Sequence, residues 1–209
     1  CQSKPEYFSS ALRYQIEPKS GTWSDITATW STGGRSGGGA AVTLQPCVDG
    51  GVYLQTPKGV VLPEKAGHLG TQRQGDTVES HWRVSAAGVS AEVIYTYRLW
   101  NKSLVVDVVA RGGAVGEVRF GRAAGLQNPR LVTNPFYPAQ GGRPAVAVAG
   151  PSETPLFLTG NTDWYRSNGS ILWAANSIST TGVVYNGGTR YTPLTHGKRN
   201  DCFERFFIT

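Results

Sequence analysis

The chain has 209 residues, of which 39% are apolar and only 16% are charged, and its 20 basic and 14 acidic residues give a net charge of +6. The basic residues are scattered, with no run longer than Lys198-Arg199, so the sequence predicts no nucleic-acid partner. No apolar stretch approaches the roughly 20 residues of a membrane-spanning helix, so no transmembrane segment is expected. The length predicts a single domain over residues 1–209 that buries its own core.

The first third of the chain predicts short strands separated by turns. The segments ALRYQIEP, SDITATWS and GVYLQT combine β-branched and aromatic residues with polar neighbours. Between the second and third of them, residues 31–42 are rich in glycine and predict a flexible loop, either a hairpin tip or a short linker.

The centre of the chain carries the clearest strand signal. In VSAEVIYTYRLW, apolar residues from Val89 to Leu99 alternate with polar ones, and only Ile94 breaks the pattern. SLVVDVVA follows after a turn-like Asn101-Lys102, which indicates a hairpin. TVESHWRV comes before this hairpin and AVGEVRFG after it, so we expect a four-strand meander over about 76–120. In TVESHWRV, alternation predicts that His81 and Trp82 lie on opposite faces, whereas His68 is expected in a loop.

The last third repeats this pattern with shorter strands. RPAVAVAG, TPLFLTG, GSILWAANS, TGVVYNGG and CFERFFIT are separated by Pro, Gly and Asn turns, and no βαβ alternation appears. The sequence therefore predicts an all-β protein, an antiparallel, supersandwich-like β-sandwich of roughly a dozen strands.

The cysteines and histidines give no pattern for a metal or a cofactor. Cys1, Cys47 and Cys202 include no CxxC pair and form at most one internal disulfide, and the three histidines show no metal-ligand spacing, so no cofactor is expected. Cys1 leaves open a lipid anchor of the bacterial lipoprotein kind. Asn101 and Asn168 begin glycosylation sequons.

One polar and aromatic stretch, LTGNTDWYRSNGSILWAANS, has the inventory of a sugar site. Sugars present a C–H face for aromatic rings and hydroxyl groups for polar side chains. The candidate residues are Asn161, Asp163, Trp164, Tyr165, Arg166 and Trp173. The alternative is structural, with Trp164 and Tyr165 packed over the end of the sandwich and Asp163 capping a turn.

Two further loops are weaker candidates for sugar contact. Prolines hold Phe136 and Tyr137 in a stiff loop, which is either a pocket wall or a packed crossover. His196 and Arg199 lie in a polar loop before the final strand. In that strand Arg205 lies between Phe203 and Phe207, so it needs a neighbouring carboxylate or a cation–π contact.

No catalytic residue can be assigned from the sequence. A glycosidase needs two carboxylates about 5–10 Å apart, and the acidic residues form no recognisable pair. Glu79 and Glu117 lie in strands beside Arg83 and Arg119, which indicates solvated charged faces. The sequence also lacks a GxSxG nucleophile motif.

About residues 76–209 resemble domains of a known family. GVVYNGGTRYTPLTHGKRNDCFERFFIT and YRLWNKSLVVDVVA resemble the last strands and the central hairpin of galactose-mutarotase-like β-supersandwich domains, which precede the catalytic barrel in multidomain bacterial glycoside hydrolases. The resemblance implies an accessory domain with a catalytic domain downstream, and the ending on an apolar strand at Thr209 fits a domain of a longer chain. The His acid and Glu base of catalytic members match no motif here.

Three functions follow as hypotheses. The first is a non-catalytic carbohydrate-binding or accessory domain of a glycoside hydrolase, secreted or on the cell surface, with carbohydrate as its partner. The second is a self-assembling extracellular structural or filament subunit, and the third is a stand-alone polysaccharide lyase or sugar epimerase. A homo-oligomer remains open in all three.

Overall fold

The computed structural model contains β-strands, connecting loops and two short 3₁₀ turns, at Trp23–Asp25 and Trp164–Arg166. The structure describes residues 11–31, 41–100, 103–133, 145–150, 155–167, 171–173, 176–179, 182–185, 188–190 and 201–208. Every paired strand in these ranges runs antiparallel to its neighbour, so the all-β, antiparallel, sandwich-like prediction is confirmed.

The described residues form twenty strands where the sequence predicted about a dozen, because several strands have only three or four residues. They are β1 (Ala11–Ile16), β2 (Ile26–Ser31), β3 (Ala41–Val48), β4 (Gly51–Thr56), β5 (Gly59–Val61), β6 (Lys65–Gln74), β7 (Thr77–Ala86), β8 (Val89–Trp100), β9 (Ser103–Arg111), β10 (Val115–Arg119), β11 (Arg122–Ala124), β12 (Arg130–Thr133), β13 (Ala145–Ala149), β14 (Leu156–Leu158), β15 (Gly160–Thr162), β16 (Ile171–Trp173), β17 (Asn176–Ser179), β18 (Gly182–Tyr185), β19 (Gly188–Arg190) and β20 (Asp201–Ile208).

These strands form four sheets. The meander sheet has the order β15-β20-β9-β8-β7-β6, and the N-terminal sheet has the order β1-β2-β3-β11-β18-β17. A five-stranded sheet has the order β16-β19-β10-β4-β5, and a three-stranded sheet has the order β12-β13-β14. Non-consecutive neighbours such as β4 and β10 mean that parts of the chain distant in sequence complete three of these four sheets.

The predicted meander is shifted by one strand. β7, β8 and β9 pair in sequence as expected, but β10 pairs with β4 and β19 in the five-stranded sheet. After β9, Gly112 and Gly113 both adopt positive φ, and the chain leaves the meander sheet there. The fourth meander strand is instead β6, so His68 lies in a strand and not in a loop.

The inner face of β8 forms the centre of the core. Ala91, Val93, Tyr95 and Tyr97 are buried, which confirms the alternation seen in the sequence. The Tyr95 hydroxyl accepts a hydrogen bond from the backbone N–H of Val52 on β4 at 3.2 Å, which joins the meander sheet to the five-stranded sheet. Apolar burial of this kind is the main favourable term in folding.

Residues on either side of β8 complete the core. Trp82 of β7 is 2% exposed while His81 points to the opposite face, as alternation requires. Trp23, which is fully buried in the first 3₁₀ turn, packs edge-on against Tyr95 with the ring centroids 6.1 Å apart. The core therefore includes residues from the meander sheet and from the 3₁₀ turn before β2.

The glycine-rich segment joins two paired strands. β2 and β3 are antiparallel, and their last pair in register is Ser31 with Ala41, which fits the hairpin alternative for residues 31–42. Residues 32–40 lie outside the described part of the chain, and residues 41 and 42 belong to β3.

Backbone register also bears on the final strand. Asp107 of β9 stands directly opposite Arg205 of β20, so a carboxylate-bearing residue occupies the neighbouring-strand position that the sequence required.

The turn between β7 and β8 offers a small stabilising substitution. Ala87 and Gly88 both have positive φ, 47° and 80°, which is the geometry of a two-residue type I′ turn that favours Asn-Gly. Because Asn tolerates the left-handed region better than Ala, Ala87→Asn is expected to raise the free energy of unfolding by about 0.5–1 kcal/mol. Urea denaturation measures this change, and Ala87→Val, with its β-branched side chain, is expected to lower the midpoint.

Candidate functional site

Four residues of the polar and aromatic stretch chosen from the sequence form a turn at the edge of the meander sheet. Residues 163–166, called here the capped turn, follow β15, whose Asn161 is exposed and pairs in register with Phe207 of β20. Tyr165 is 100% exposed, and Arg166 is exposed as well. The structure therefore brings Asn161, Asp163, Tyr165 and Arg166 into one short surface segment.

Asp163 fixes the backbone of this turn. Its carboxylate oxygen Oδ1 accepts a hydrogen bond from the Tyr165 N–H at 3.1 Å, and its carbonyl accepts one from the Arg166 N–H at 3.1 Å. This is the capping that short polar side chains provide at the start of a helical turn. The capping part of the structural alternative is thus present, but the Tyr165 side chain does not pack over the sandwich.

The strand before the capped turn is anchored to the core. An ideal Cβ on Gly160 would lie 2.8 Å from the ring of Phe120, so only glycine allows β15 to approach that buried ring. β15 is held by the Phe120 ring packed against Gly160 and by its pairing with β20, and the capped turn also contacts β20. The exposed Tyr165 extends from this anchored segment.

The other predicted sugar contacts are placed differently or lie outside the described side chains. Trp164 belongs to the capped turn and Trp173 to β16, at the edge of the five-stranded sheet, and for both only the backbone is described. The strand that precedes the capped turn, β15, and the strand that contains Trp173, β16, therefore belong to different sheets. Phe136 and Tyr137, and likewise His196 and Arg199, lie outside the described residues.

The sequence missed a charged cluster on β4 and β10. Glu117, expected on a solvated face, is only 2% exposed, and its Oε2 accepts hydrogen bonds from Arg119 Nε at 2.7 Å and Nη2 at 2.6 Å. The Arg119 guanidinium lies over the Tyr53 ring, with Cζ 4.0 Å from the centroid. Alternation placed Glu117 and Arg119 on one face, but no local signal showed that Tyr53, from a distant strand, would cover them.

The role of this cluster is structural, because its hydrogen bonds connect neighbouring strands. Burial raises the pKa of the Tyr53 phenol, so it stays neutral, and its hydroxyl donates a hydrogen bond to the Asp49 carbonyl at 2.8 Å. Asp49 in turn accepts from Arg122 Nε at 3.2 Å, with both side chains about half exposed. The cluster fastens the β3–β4 connection to β10 and β11 through charge-assisted hydrogen bonds.

A groove of about 280 Å³ opens on the outer face of the meander sheet. Aliphatic side chains from three strands line it: Leu69, Ile94 and Val109. Its polar lining residues are His81, Glu92 and Arg111. His81 Nε2 lies 3.4 Å from Glu79 Oε2, and Glu92 pairs with Arg83 at 2.5 Å. The sequence did not find this groove because its residues lie on four strands.

Two chemical classes find no support among the described side chains. No group of three or more His, Cys, Asp or Glu residues in this part of the chain has metal-binding geometry. Cys47 is a fully buried free thiol, and burial raises its pKa, so it is not a thiolate nucleophile.

Within the ranges that the structure describes, no helix is long and apolar enough to cross a membrane. Comparisons of the chain with protein-family models, with curated proteins and with solved structures find no match.

Proposed function

We propose that this chain is a carbohydrate-binding β-sandwich that contacts sugar through the capped turn and serves as an accessory domain of a secreted glycoside hydrolase. The observation that carries the proposal is the complete exposure of Tyr165 on a backbone fixed by the Asp163 cap. Contact between the apolar face of an aromatic ring and the C–H face of a sugar removes apolar surface from water, which is favourable.

The neighbours of Tyr165 supply hydrogen bonds for sugar hydroxyls. Arg166 is exposed and offers guanidinium donors, and Asn161 is exposed and offers one amide donor group and one acceptor. Because the cap is already formed without a ligand, little conformational entropy is lost when sugar binds. An accessory role needs only such contact, with the chemistry performed by a downstream catalytic domain.

The filament hypothesis ranks below sugar binding because of the meander sheet's edge strand. β6 has Lys65 and Arg73 exposed, and its register with β7 shifts between His68 and Gly70. Charges and bulges are the devices that natural edge strands use against pairing with another chain. The lyase or epimerase hypothesis has no residue assigned to its chemistry.

Replacing Tyr165 by alanine is expected to weaken glycan binding about ten-fold, or ~1.4 kcal/mol, because the stacking surface is lost. Tyr165→Phe keeps the ring and is expected to bind within about two-fold of the wild type. A panel of immobilised polysaccharides identifies the ligand, and isothermal titration calorimetry with its oligosaccharide measures the affinities.

Phe157→Ala is the matched control, because Phe157 is also an exposed aromatic residue (59%) but lies on the three-stranded sheet. Its affinity is expected to equal that of the wild type. Equal binding by the wild type and Tyr165→Ala, or an equal loss in Phe157→Ala, would contradict the proposed site.

A further inference from the structure

The capped turn offers a ligand an open platform without walls. Tyr165 is 100% exposed, so no residue that the structure describes covers either face of its ring. Asn161 and Arg166, which come before and after it in the chain, are exposed as well and extend the platform without enclosing it. The platform is nevertheless fixed, because the Asp163 cap holds its backbone and β15 pairs with β20.

An open platform and a closed pocket select different parts of a glycan. A closed pocket surrounds a sugar ring on several sides and buries most of its surface, so it holds the ring at the end of a chain. A platform contacts one face only, and the glycosidic bonds on both sides of the bound ring stay free to continue into the next sugar. Walls that enclosed a single sugar on Tyr165 would stand against the edge of its ring, and its complete exposure excludes them among the described residues.

We propose that the capped turn binds internal units of a polysaccharide chain and needs no chain end, an inference that rests on the proposed sugar-binding function. The ring of Tyr165 stacks on the C–H face of one unit, while Asn161 and Arg166 supply hydrogen bonds for the hydroxyl groups at its rim. Contact on one side only gives a weak site, with a dissociation constant on the order of 1 mM for a short oligosaccharide. A long chain compensates, because it presents many equivalent units to the same platform.

Chain length provides the first test. The probes are the 1,4-linked hexasaccharides cellohexaose, xylohexaose, mannohexaose and maltohexaose, together with their trisaccharides. A trisaccharide has one internal unit and a hexasaccharide has four. Calorimetry on the whole 209-residue chain is therefore expected to give a dissociation constant about two- to four-fold lower for the hexasaccharide that binds than for its trisaccharide, four-fold if terminal units do not fit and two-fold if they do. A site that recognises a chain end gives equal constants, because both lengths have the same two ends.

Blocking both chain ends provides the second test. Borohydride reduction opens the reducing-end ring of the hexasaccharide, and a 4-O-methyl group caps the other end, whereas the internal rings are unchanged. The blocked hexasaccharide is expected to bind within about two-fold of the unmodified one. Tyr165→Ala is expected to weaken the binding of both about ten-fold, and Phe157→Ala, the matched control on the three-stranded sheet, to weaken neither. Both positions are exposed, so the fold is retained, and circular dichroism verifies this.

The two proposals fail on different results. If binding depends on Tyr165 but weakens about ten-fold when either end is blocked, or is equal for the trisaccharide and the hexasaccharide, the open-platform inference is overturned and the proposed sugar site stands. If the hexasaccharide binds equally to the wild type and to Tyr165→Ala, or if none of the hexasaccharides binds, sugar recognition at the capped turn is itself contradicted and the inference falls with it.

Discussion

Replacing Gly121 by alanine is expected to destabilise the protein by about 2–5 kcal/mol. Gly121 has a φ of 79°, and a side chain in this left-handed region costs about 1–2 kcal/mol. Its ideal Cβ would also press on the Val48 carbonyl oxygen and lie 2.5 Å from the Gly50 nitrogen. Both obstacles are backbone atoms, so the β3–β4 and β10–β11 connections must move apart, and overpacking of this kind adds about 1–3 kcal/mol.

Gly88→Ala separates these two causes. Gly88 has nearly the same φ, 80°, but its ideal Cβ has no atom within 4 Å. It is therefore expected to cost only the conformational part, about 1–2 kcal/mol. Chemical denaturation of both variants measures the difference, and equal losses would show that the two connections are not in contact as described.

The second large effect is expected at Arg119. Arg119→Gln removes two charge-assisted hydrogen bonds from the Glu117 carboxylate, which is 2% exposed, and also removes the cation from the Tyr53 ring. Because the buried carboxylate loses two charge-assisted hydrogen bonds, we expect the free energy of unfolding to fall by about 3 kcal/mol. Urea denaturation at neutral pH measures this loss.

An exposed pair provides the control for this prediction. Arg83 and Glu92 form an ion pair with side chains 63% and 65% exposed, so Arg83→Gln is expected to cost less than ~1 kcal/mol. A double-mutant cycle that combines Arg119→Gln with Glu117→Gln is expected to give a coupling energy of at least about 1.5 kcal/mol for the buried pair. A coupling energy near zero would mean that Glu117 and Arg119 do not interact as described.

Strands β7 and β8 were predictable because their signal is local. In β7 and β8 the side-chain period of two separates buried from exposed residues, and this period is written in the sequence itself. Alternation alone predicted that Trp82 and His81 lie on opposite faces, and the structure confirms it.

Strands without such a pattern were missed. All but one residue of β6, which lies at a sheet edge, are exposed, so its sequence KAGHLGTQRQ carries no apolar alternation. The transfer of β10 to the five-stranded sheet is a matter of tertiary pairing with β4, more than fifty residues earlier, and no local feature of the sequence specifies it.

The candidate site was predictable only in composition. Polar and aromatic residues pointed to residues 163–166, but the exposure of Tyr165 depends on where β15 meets β20, which the sequence does not specify. The burial of Glu117 and the assembly of the groove at Arg111 likewise depend on which strands become neighbours.

A nuclear magnetic resonance titration with the glycan that binds most tightly tests the central claim most directly. Backbone amide shifts of Asp163, Tyr165, Arg166 and Ser167 are expected to change as the sugar is added, and the same titration of Tyr165→Ala is expected to need about ten-fold more ligand. Shifts confined to other parts of the chain, or no response to any glycan in a broad panel, would contradict sugar recognition at the capped turn.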